Sequence, residues 1–278
     1  MIVNGHRQSN ISLSDRGLQY GDGCFTTMAY EHGKVELFDA HIQRLKQACK
    51  RLSILFKDWA FLNQCILESL HDKQSCVLKV IITRGSGGRG YSPLGANAPT
   101  FIISHHPIPN HYTNWQREGI TVGLSDIALS RQPLLAGIKH LNRLEQVLIK
   151  KSCADTSYDD VIVRDTESNV IETSIGNVFW YENGSWFTPD LNQSGVEGVM
   201  RNYVMAKIKE FGLNLNVIEA PIDALCDAKA AFICNSLMKV VPLKSLEDEN
   251  TFGLKSFQLS PVHEIQSYLN DIPGVFNG

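Results

Sequence analysis

Residues 135–140 read Leu-Ala-Gly-Ile-Lys-His, and the prediction of the fold turns on the lysine in this stretch. The residues immediately before Lys139 are small or apolar, so its amine is expected to lose hydration. Poor hydration disfavours the charged ammonium, and the neutral amine is the form that reacts with carbonyl carbons. Most lysines are exposed, however, so the stretch taken alone favours an ordinary surface lysine at the end of a strand.

The composition of the whole chain is typical of a soluble globular protein. It has 278 residues, of which 43% are hydrophobic and 20% charged, and this length suits one large domain or two modest ones. The formal net charge of -3 gives no reason to expect nucleic acid or an anionic membrane surface as a partner. No apolar run approaches the roughly 20 residues of a membrane helix, and residues 1–15 lack the features of a signal peptide. We therefore expect a cytoplasmic protein.

The seven cysteines are scattered, and none forms a CxxC pair. An odd, scattered set in a chain without a signal sequence is typical of reduced thiols, most of them small core residues. The nine histidines are equally dispersed. No spacing typical of metal ligands is present, so we expect no metal site.

The pattern along the chain predicts two α/β domains. The predicted elements of the first half are a hairpin at 24–38, helices capped by Asp39 and Asp58, and strands at 77–83 and 100–104. Pro107 and Pro109 then mark a break. We therefore predict a small N-terminal domain at 1–108 and a larger C-terminal domain at 113–278.

The second half also alternates between strand and helix patterns. Its predicted elements are a strand at 120–124, a helix after Lys139 carrying Leu144, Val147, Leu148 and Cys153, a β-meander at 160–188, a helix from Gly198 towards Gly212, strands near 215–222 and 231–234, and a helix at 261–269.

Four further positions carry groups suited to a phosphorylated cofactor with a ring nitrogen. Glu172 ends a predicted strand, where a carboxylate can keep such a nitrogen protonated. Arg44, beside the apolar stripe of the first helix, offers several donors to a phosphate. Val199 and Met200 begin a helix, whose free N–H groups suit an anion, and the hydroxyl of Ser236 can reach the same anion. Each is explained as well or better, on its own, by a surface residue, a plain helix start or a turn.

A loop at 84–91 contains four glycines, two arginines and a tyrosine. It lacks the GxxxxGK[ST] order of a P-loop and the GxGxxG order of a dinucleotide site. Two arginines in such a loop suit a substrate with carboxylates. A solvated, mobile loop explains the composition equally well.

Six segments occur in one order along the chain: Gly-Asp-Gly-Cys-Phe-Thr-Thr (21–27), His-Ile-Gln-Arg-Leu (41–45), Gly-Ile-Lys (137–139), Ile-Glu-Thr-Ser-Ile-Gly-Asn-Val-Phe (171–179), Gly-Val-Met-Arg (198–201) and Cys-Asn-Ser-Leu-Met (234–238). That order resembles the fold-type IV family of pyridoxal-phosphate enzymes. The family includes branched-chain aminotransferases, D-amino-acid aminotransferases and aminodeoxychorismate lyases. The resemblance covers about residues 2–245.

The resemblance implies an α/β (α+β) fold of two domains, like that of D-amino-acid aminotransferases, with pyridoxal 5'-phosphate bound at the domain interface. It implies that Lys139 forms the Schiff base with the cofactor and that Glu172 is the partner of the ring nitrogen. It also implies which groups surround the phosphate: Arg44, the amides of Val199 and Met200, and Ser236.

Within the family, the stretches 15–27, 84–92 and 135–146 resemble the lyases more than the transaminases. D-amino-acid aminotransferases have a tyrosine where this chain has Phe25 and a glutamate where it has Thr26. Their helix start carries a threonine at the position of Met200. These departures weaken transamination as the main activity.

The resemblance therefore implies a lyase that converts the small molecule 4-amino-4-deoxychorismate into 4-aminobenzoate and pyruvate in folate biosynthesis. The alternatives are a D-amino-acid or branched-chain aminotransferase and a non-catalytic binding protein. Retention of both Lys139 and Glu172 argues against the last.

The resemblance also implies a homodimer, because a loop of one subunit covers the site of the other in this family. Arg89 and Tyr91 occupy the loop positions that line the substrate-carboxylate pocket, and Arg84 is a further candidate for binding a carboxylate. Thr26 or Thr27 is expected to assist at the reacting substrate.

Overall fold

The structure is a computed structural model that describes residues 1–248 and 252–276, and the chain divides into two units. The first combines Met1–Ile108, Ile138–Asn142 and the segment from Ile272 onward; the second contains Pro109–Gly137 and Arg143–Asp271. The domains predicted from the sequence, 1–108 and 113–278, instead assigned residues 138–142 and the segment from Ile272 onward to the second domain. Local composition did not reveal these segments because distant backbone fixes them. The N–H of Phe25 donates to the carbonyl of Lys139 at 2.9 Å, and that of Leu37 to Pro273 at 2.7 Å.

The first unit is built on an antiparallel sheet of seven strands. The strands are β1 (Ile2–Val3), β2 (His6–Arg7), β3 (Gly23–Glu31), β4 (Lys34–Glu36), β5 (Cys76–Thr83), β6 (Thr100–His106) and β16 (Gly274–Phe276). Their order across the sheet is β16-β4-β3-β5-β6-β1-β2. The hairpin predicted at 24–38 is confirmed: Tyr30 pairs with Val35 around a turn in which His32 and Gly33 both have positive φ angles.

The helices of this unit are α1 (Arg16–Tyr20), α2 (Phe38–Arg51) and α3 (Trp59–Glu68). Of the apolar residues at helical spacing behind Asp39, Ile42, Leu45 and Cys49 are buried, whereas Leu52 is half-buried and lies just past the end of the helix. Asp39 does not cap α2, because the helix already begins at Phe38 and Asp39 lies in its first turn. Asp58 does precede α3, but its side chain makes no capping hydrogen bond.

Asp22 fixes both ends of the loop at 84–91. Its carboxylate accepts hydrogen bonds from Arg16 Nε at 2.9 Å and from Arg84 Nε at 2.7 Å. Arg16 is itself buried and donates to the carbonyls of Gly90, Tyr91 and Ser92, each at 3.1 Å. The loop is therefore tied to the protein at its first residue and at its last ones.

The second unit contains a sheet of nine strands. They are β7 (Ile120–Leu124), β8 (Asp160–Arg164), β9 (Val170–Thr173), β10 (Asn177–Glu182), β11 (Ser185–Pro189), β12 (Asn214–Ile218), β13 (Ala230–Asn235), β14 (Lys239–Asp248) and β15 (Gly253–Ser256). The order is β12-β11-β10-β13-β14-β7-β8-β9, and β15 pairs with β14. The helices are α4 (Tyr112–Glu118), α5 (Leu144–Ala154), α6 (Val199–Glu210), α7 (Asp223–Asp227) and α8 (Ser260–Ser267).

The prediction of one continuous meander at 160–188 is wrong. Strands β8 and β9 form one hairpin and β10 and β11 form another, but β10 takes β13 as its second neighbour. The link between β9 and β10 is a tight turn, in which the N–H of Thr173 donates to the carbonyl of Gly176 at 2.7 Å. The pattern of β-branched residues located the strands, but it carried no information about a pairing with residues some fifty positions later.

Helix α5 is where the sequence predicted it, but its apolar spacing indicated the wrong face. Leu144, Val147 and Leu148 are 76%, 59% and 53% exposed, whereas Ile149 and Cys153 are buried. The buried pair packs in a cluster with side chains of β8 and β9. The other three residues give α5 an apolar outer face.

Two negative findings apply to residues 1–248 and 252–276. None of their helices has the length and apolar character needed to span a membrane. No three of their histidine, cysteine, aspartate or glutamate side chains are grouped so that they can hold a metal ion. All seven cysteines are free thiols, and only Cys226 is not buried.

We predict that Asp22→Asn destabilises the protein and that the effect depends on pH. Burial raises the pKa of Asp22, but hydrogen bonds and charge from Arg84 and Arg16 together lower it below its ordinary value. Because the pKa of Asp22 is lowered in the folded protein, its charge stabilises the fold at pH values above the ordinary pKa of an aspartate. This stabilisation is lost as the pH falls through the pKa of Asp22 in the folded protein. Denaturant unfolding at neutral pH should show a loss of about 1–3 kcal/mol.

The loss should shrink as unfolding is repeated towards about pH 3. Asp72→Asn is the control, because Asp72 is exposed. A loss of the same size at every pH, or one matched by the control, would show that the charge of Asp22 does not hold the loop.

Candidate active site

Lys139 lies in a short segment that pairs with the beginning of β3. Besides the bond from Phe25, the N–H of Leu141 donates to the carbonyl of Gly23 at 3.0 Å. Ile138 is 3% exposed and belongs to the core of the first unit. Because successive side chains point to opposite faces, Lys139 lies on the other face. It is half-buried rather than an exposed surface lysine.

The side chain of Lys139 lies over the aromatic ring of Phe25. The Nζ atom of Lys139 is 4.8 Å from the ring centroid, and that of Lys79 is 4.9 Å from the same centroid. Both distances are in the range of cation–π contacts. Thr27 pairs directly with Lys79, so its side chain lies on this face as well. Two amines and a hydroxyl thus share the face that carries the aromatic ring.

Thr26 points the opposite way, which corrects its prediction as a substrate-binding residue. It is fully buried, and its Oγ1 atom lies 2.7 Å from His41 Nδ1 and accepts a hydrogen bond from Arg44 Nη2. Burial and then the charge of Arg44 hold the pKa of His41 well below its ordinary value, so the imidazole is neutral. Arg44 is therefore held on the face of β3 that packs against α2. Of the two threonines, only Thr27 lies on the opposite face, which carries Phe25 and Lys139.

The predicted carboxylate-binding residues of the loop differ in availability. Arg84 is 12% exposed and donates to Asp22 and to the carbonyls of Leu52 and Ser53. These bonds occupy its donors, so we remove it from the candidates for binding substrate. Arg89 is exposed, and Tyr91 is 89% exposed with its ring edge-on to Tyr20. These two remain candidates.

In the second unit, Glu172 and Asn177 hold Val196 from both sides. The N–H of Val196 donates to Oε2 of Glu172 at 2.9 Å, and Asn177 Nδ2 donates to the carbonyl of Val196 at 2.8 Å. Both side chains are buried, Glu172 with 7% exposed and Asn177 with 6%. A buried carboxylate fixed in this way keeps one orientation.

Gly137, which precedes Lys139 by two residues, is attached to the same loop. Its N–H donates to the carbonyl of Gly195 at 3.0 Å, and its carbonyl accepts from the N–H of Glu197 at 3.1 Å. Gly137 has φ of 77°, a left-handed conformation that favours glycine. The backbone leading to the lysine is thus fixed by the loop that Glu172 and Asn177 hold.

Helix α6 begins immediately after this loop, at Val199. Residue 198 has no side chain to cap it, and a β-carbon on Gly198 would collide with Oδ1 of Asn177. The first N–H groups of a helix have no partner within it, so the amides of Val199 and Met200 suit an anion. Buried Arg201 anchors the helix by donating to the carbonyl of Pro189 at 2.8 Å. The predicted end near Gly212 is confirmed, since α6 stops at Glu210.

Ser236 lies in the tight turn between β13 and β14. Asn235 forms the turn by accepting hydrogen bonds from the N–H groups of Leu237 and Met238, both at 2.8 Å. Asn177 pairs with Cys234 at the end of β13. The Ser236 turn and the start of α6 therefore both adjoin the beginning of β10, so three of the predicted phosphate groups lie in one region of the second unit.

Sequence reasoning missed four residues that shape these two groups of side chains: Phe25, His41, Lys79 and Asn177. Three of them lie within segments already singled out: Phe25 in 21–27, His41 in 41–45 and Asn177 in 171–179. Lys79 is a lone lysine inside the apolar run 77–82. Nothing near His41 indicated its contact with Thr26, because Thr26 is on another element.

Comparison with known proteins places these observations in context. The model of the amino-transferase class IV family matches residues 23–246. An aminodeoxychorismate lyase of Vibrio harveyi is 39% identical over 88% of this chain and 90% of its own length.

Solved structures give a consistent result. The structure of 4-amino-4-deoxychorismate lyase from Pseudomonas aeruginosa superposes with a TM-score of 0.90 at 33% identity and covers 97% of both chains. A branched-chain amino acid aminotransferase of Escherichia coli has a TM-score of 0.83 at 19% identity, covering 95% of this chain and 91% of its own. The second likeness concerns the fold alone.

We predict that Gly198→Ala destabilises the protein through contact with Asn177. The added methyl group would overlap Oδ1 of Asn177, and overpacking of this kind costs about 1–3 kcal/mol. In an Asn177→Ala background the overlapping atom is gone, so the same glycine substitution should cost clearly less. Urea unfolding of the four proteins in the cycle measures this coupling.

Asn216→Ala, at an exposed position of β12, is the control background and should leave the cost of Gly198→Ala unchanged. Equal costs in all three backgrounds would contradict the proposed close approach.

Proposed function

The chain belongs to the class IV aminotransferase family, and we propose that it is an aminodeoxychorismate lyase, converting 4-amino-4-deoxychorismate into 4-aminobenzoate and pyruvate. The observation that carries this proposal is the likeness to two lyases over nearly the whole chain, at 39% and 33% identity. The geometry of each unit supports it, since each contains a set of groups suited to one part of the chemistry.

Pyridoxal phosphate is the cofactor that we propose, and the donor sets fit it. The half-buried amine of Lys139 suits covalent attachment, the buried carboxylate of Glu172 suits a protonated ring nitrogen, and the uncapped start of α6 suits a phosphate. When bound, the cofactor supplies an aldehyde that holds the substrate amine and a ring that withdraws electrons from the adjacent carbon.

Glu172 acts through its charge. Its carboxylate accepts a hydrogen bond from the N–H of Val196, which fixes its orientation. A fixed negative charge beside a pyridine nitrogen favours the protonated ring, which is the stronger electron acceptor.

The phosphate is held by neutral donors and one cation in this proposal. The donors are the amides of Val199 and Met200 and the hydroxyl of Ser236, and the cation is Arg44. Helix amides and a guanidinium both favour anions, because they present N–H groups along directions that match phosphate oxygens.

Lys139 moves the proton. With the substrate amine held by the cofactor, the Nζ of Lys139 would take the proton from the ring carbon that bears the amine. The electron pair of that C–H bond expels the enolpyruvyl oxygen, so the C–O bond breaks and the ring becomes aromatic. Lys139 can return the proton to the departing group, which leaves as pyruvate. Thr27 shares the face of Lys139 and is the threonine that we propose assists.

We place the reaction in folate biosynthesis in the cytoplasm and propose a homodimer. The outer face of α5 supports the dimer, because Leu144, Val147 and Leu148 form an apolar stripe at helical spacing. Arg89 and Tyr91, both exposed, are proposed to bind substrate carboxylates in the site of the neighbouring subunit.

The enzyme should make 4-aminobenzoate and pyruvate from aminodeoxychorismate without any added keto acid. A lyase needs no amino acceptor, whereas an aminotransferase must convert its cofactor to pyridoxamine phosphate and then find one. Product analysis by chromatography, with absorbance spectra of the cofactor, measures both. Conversion to the pyridoxamine form with no pyruvate would favour a D-amino-acid or branched-chain aminotransferase instead.

Two variants connect this activity to its residues. Lys139→Ala should abolish turnover and remove the site that borohydride labels. Glu172→Gln should lower turnover at least roughly tenfold, about 1.4 kcal/mol of barrier, while the cofactor stays bound. A label on another lysine, or full turnover in Glu172→Gln, would overturn the corresponding assignment.

Mixed dimers test which subunit Arg89 serves. Lys139→Ala and Arg89→Ala subunits are each expected to be inactive alone. If the loop acts across the interface, a mixed dimer places both lesions in one site and leaves the other intact, so activity should return. Proven mixed dimers without activity would mean that the loop serves its own subunit.

A further inference from the structure

We propose that Thr26 and His41 are positioning residues that aim the guanidinium of Arg44 at the phosphate of the cofactor. The inference rests on the proposed function, because it takes Arg44 as a phosphate ligand. It assigns a role to two buried side chains that the chemistry described above does not use.

The three side chains form a relay between β3 and α2. His41 and Arg44 are three residues apart on α2, so they lie on the same side of the helix. Arg44 Nη2 donates to Thr26 Oγ1 and is 3.5 Å from His41 Nδ1. Thr26 and His41 are both fully buried, so water does not compete for these bonds.

The direction of the hydrogen bonds follows from the donors available. A guanidinium can only donate, so Thr26 Oγ1 is the acceptor of the bond from Arg44. The single hydrogen of the hydroxyl is then free to point at His41 Nδ1, 2.7 Å away. That bond requires a lone pair on Nδ1 and therefore a neutral imidazole.

The surroundings of His41 keep it in the state that the relay needs. Burial, and after it the positive charge of Arg44, hold the pKa of His41 well below its ordinary value. A charged imidazole would offer only donors and would place a second positive charge beside the guanidinium. The neutral form accepts the hydrogen of Thr26 and places no second positive charge beside Arg44.

The physical benefit is the order imposed on a long side chain. A free arginine samples many rotamers, and binding an anion then has to restrict them. The bond to Thr26, whose hydroxyl is held by His41, restricts the guanidinium before any ligand arrives. Preorganisation of this kind should raise affinity for a phosphate and leave affinity for the rest of the cofactor unchanged.

The test compares two ligands that differ by the phosphate alone. Dissociation constants of pyridoxal phosphate and pyridoxal are measured by absorbance on the full-length protein freed of cofactor. Their ratio reports what the phosphate contributes. In Thr26→Val, which keeps the β-branched shape but loses the hydroxyl, the preference for the phosphate form should fall about tenfold. Thr26→Ser should restore it.

A second pair of variants addresses the imidazole. In His41→Asn the amide oxygen can accept the threonine hydrogen, so the preference should be largely kept. In His41→Leu the acceptor is gone, and the preference should fall as in Thr26→Val. Thermal melting of every variant separates loss of fold from loss of phosphate preference, and the two pairs give independent readings should one variant not fold.

Arg44→Ala completes the design. If Thr26 acts through Arg44, adding Thr26→Val to Arg44→Ala should change the ratio no further. An unchanged ratio in folded Thr26→Val, or an equal further fall in the Arg44→Ala background, would overturn the inference. An unchanged ratio in Arg44→Ala alone would also overturn it while leaving the lyase intact. A wild-type protein that binds no pyridoxal phosphate would instead refute the proposed function.

Discussion

The two hydrogen bonds at the backbone of Val196 are the constraint on which the arrangement of the candidate groups in the second unit depends. Its N–H is taken by Glu172 and its carbonyl by Asn177, so strands β9 and β10 are both joined to the loop before α6. One short loop therefore sets the direction of a buried carboxylate and the place where a helix begins. Because the same loop binds the backbone of Gly137, the chain approaching Lys139 is fixed by the same contacts.

In the first unit the equivalent constraint is the alternation of side chains along β3. Phe25 and Thr27 lie on the face of Lys139, while Thr26 lies against α2. A single strand thus separates the ring and hydroxyl beside Lys139 from the groups that hold the guanidinium of Arg44. A shift of one residue in the pairing with β5 would exchange the two sets, so the register of this strand is a chemical as well as a structural requirement.

Sequence reasoning succeeded where the determinant was local. The turn at Gly33, the buried stripe of α2 and the end of α6 near Gly212 were all readable from neighbours a few positions away. It failed where the determinant was a distant partner. Nothing near Arg84 indicated Asp22, nothing near Thr26 indicated His41, and nothing in α5 indicated which face β8 and β9 would cover. The candidate site residues were proposed from their order along the chain, but their division between opposite faces of β3 depends on strand pairings that local sequence does not reveal.

The composition of the first unit has a consequence for synthesis of the chain. Its sheet is completed at one edge by β16, which pairs with β4, and beside β3 by residues 138–142. A ribosome delivers residues 1–108 well before either of these segments. At about 5–20 residues per second, the edge beside β3 waits about 2–7 seconds for residues 138–142, and β4 waits about 8–34 seconds for β16. Exposed edges are templates for unwanted pairing, so the newborn chain is most vulnerable to aggregation during that interval.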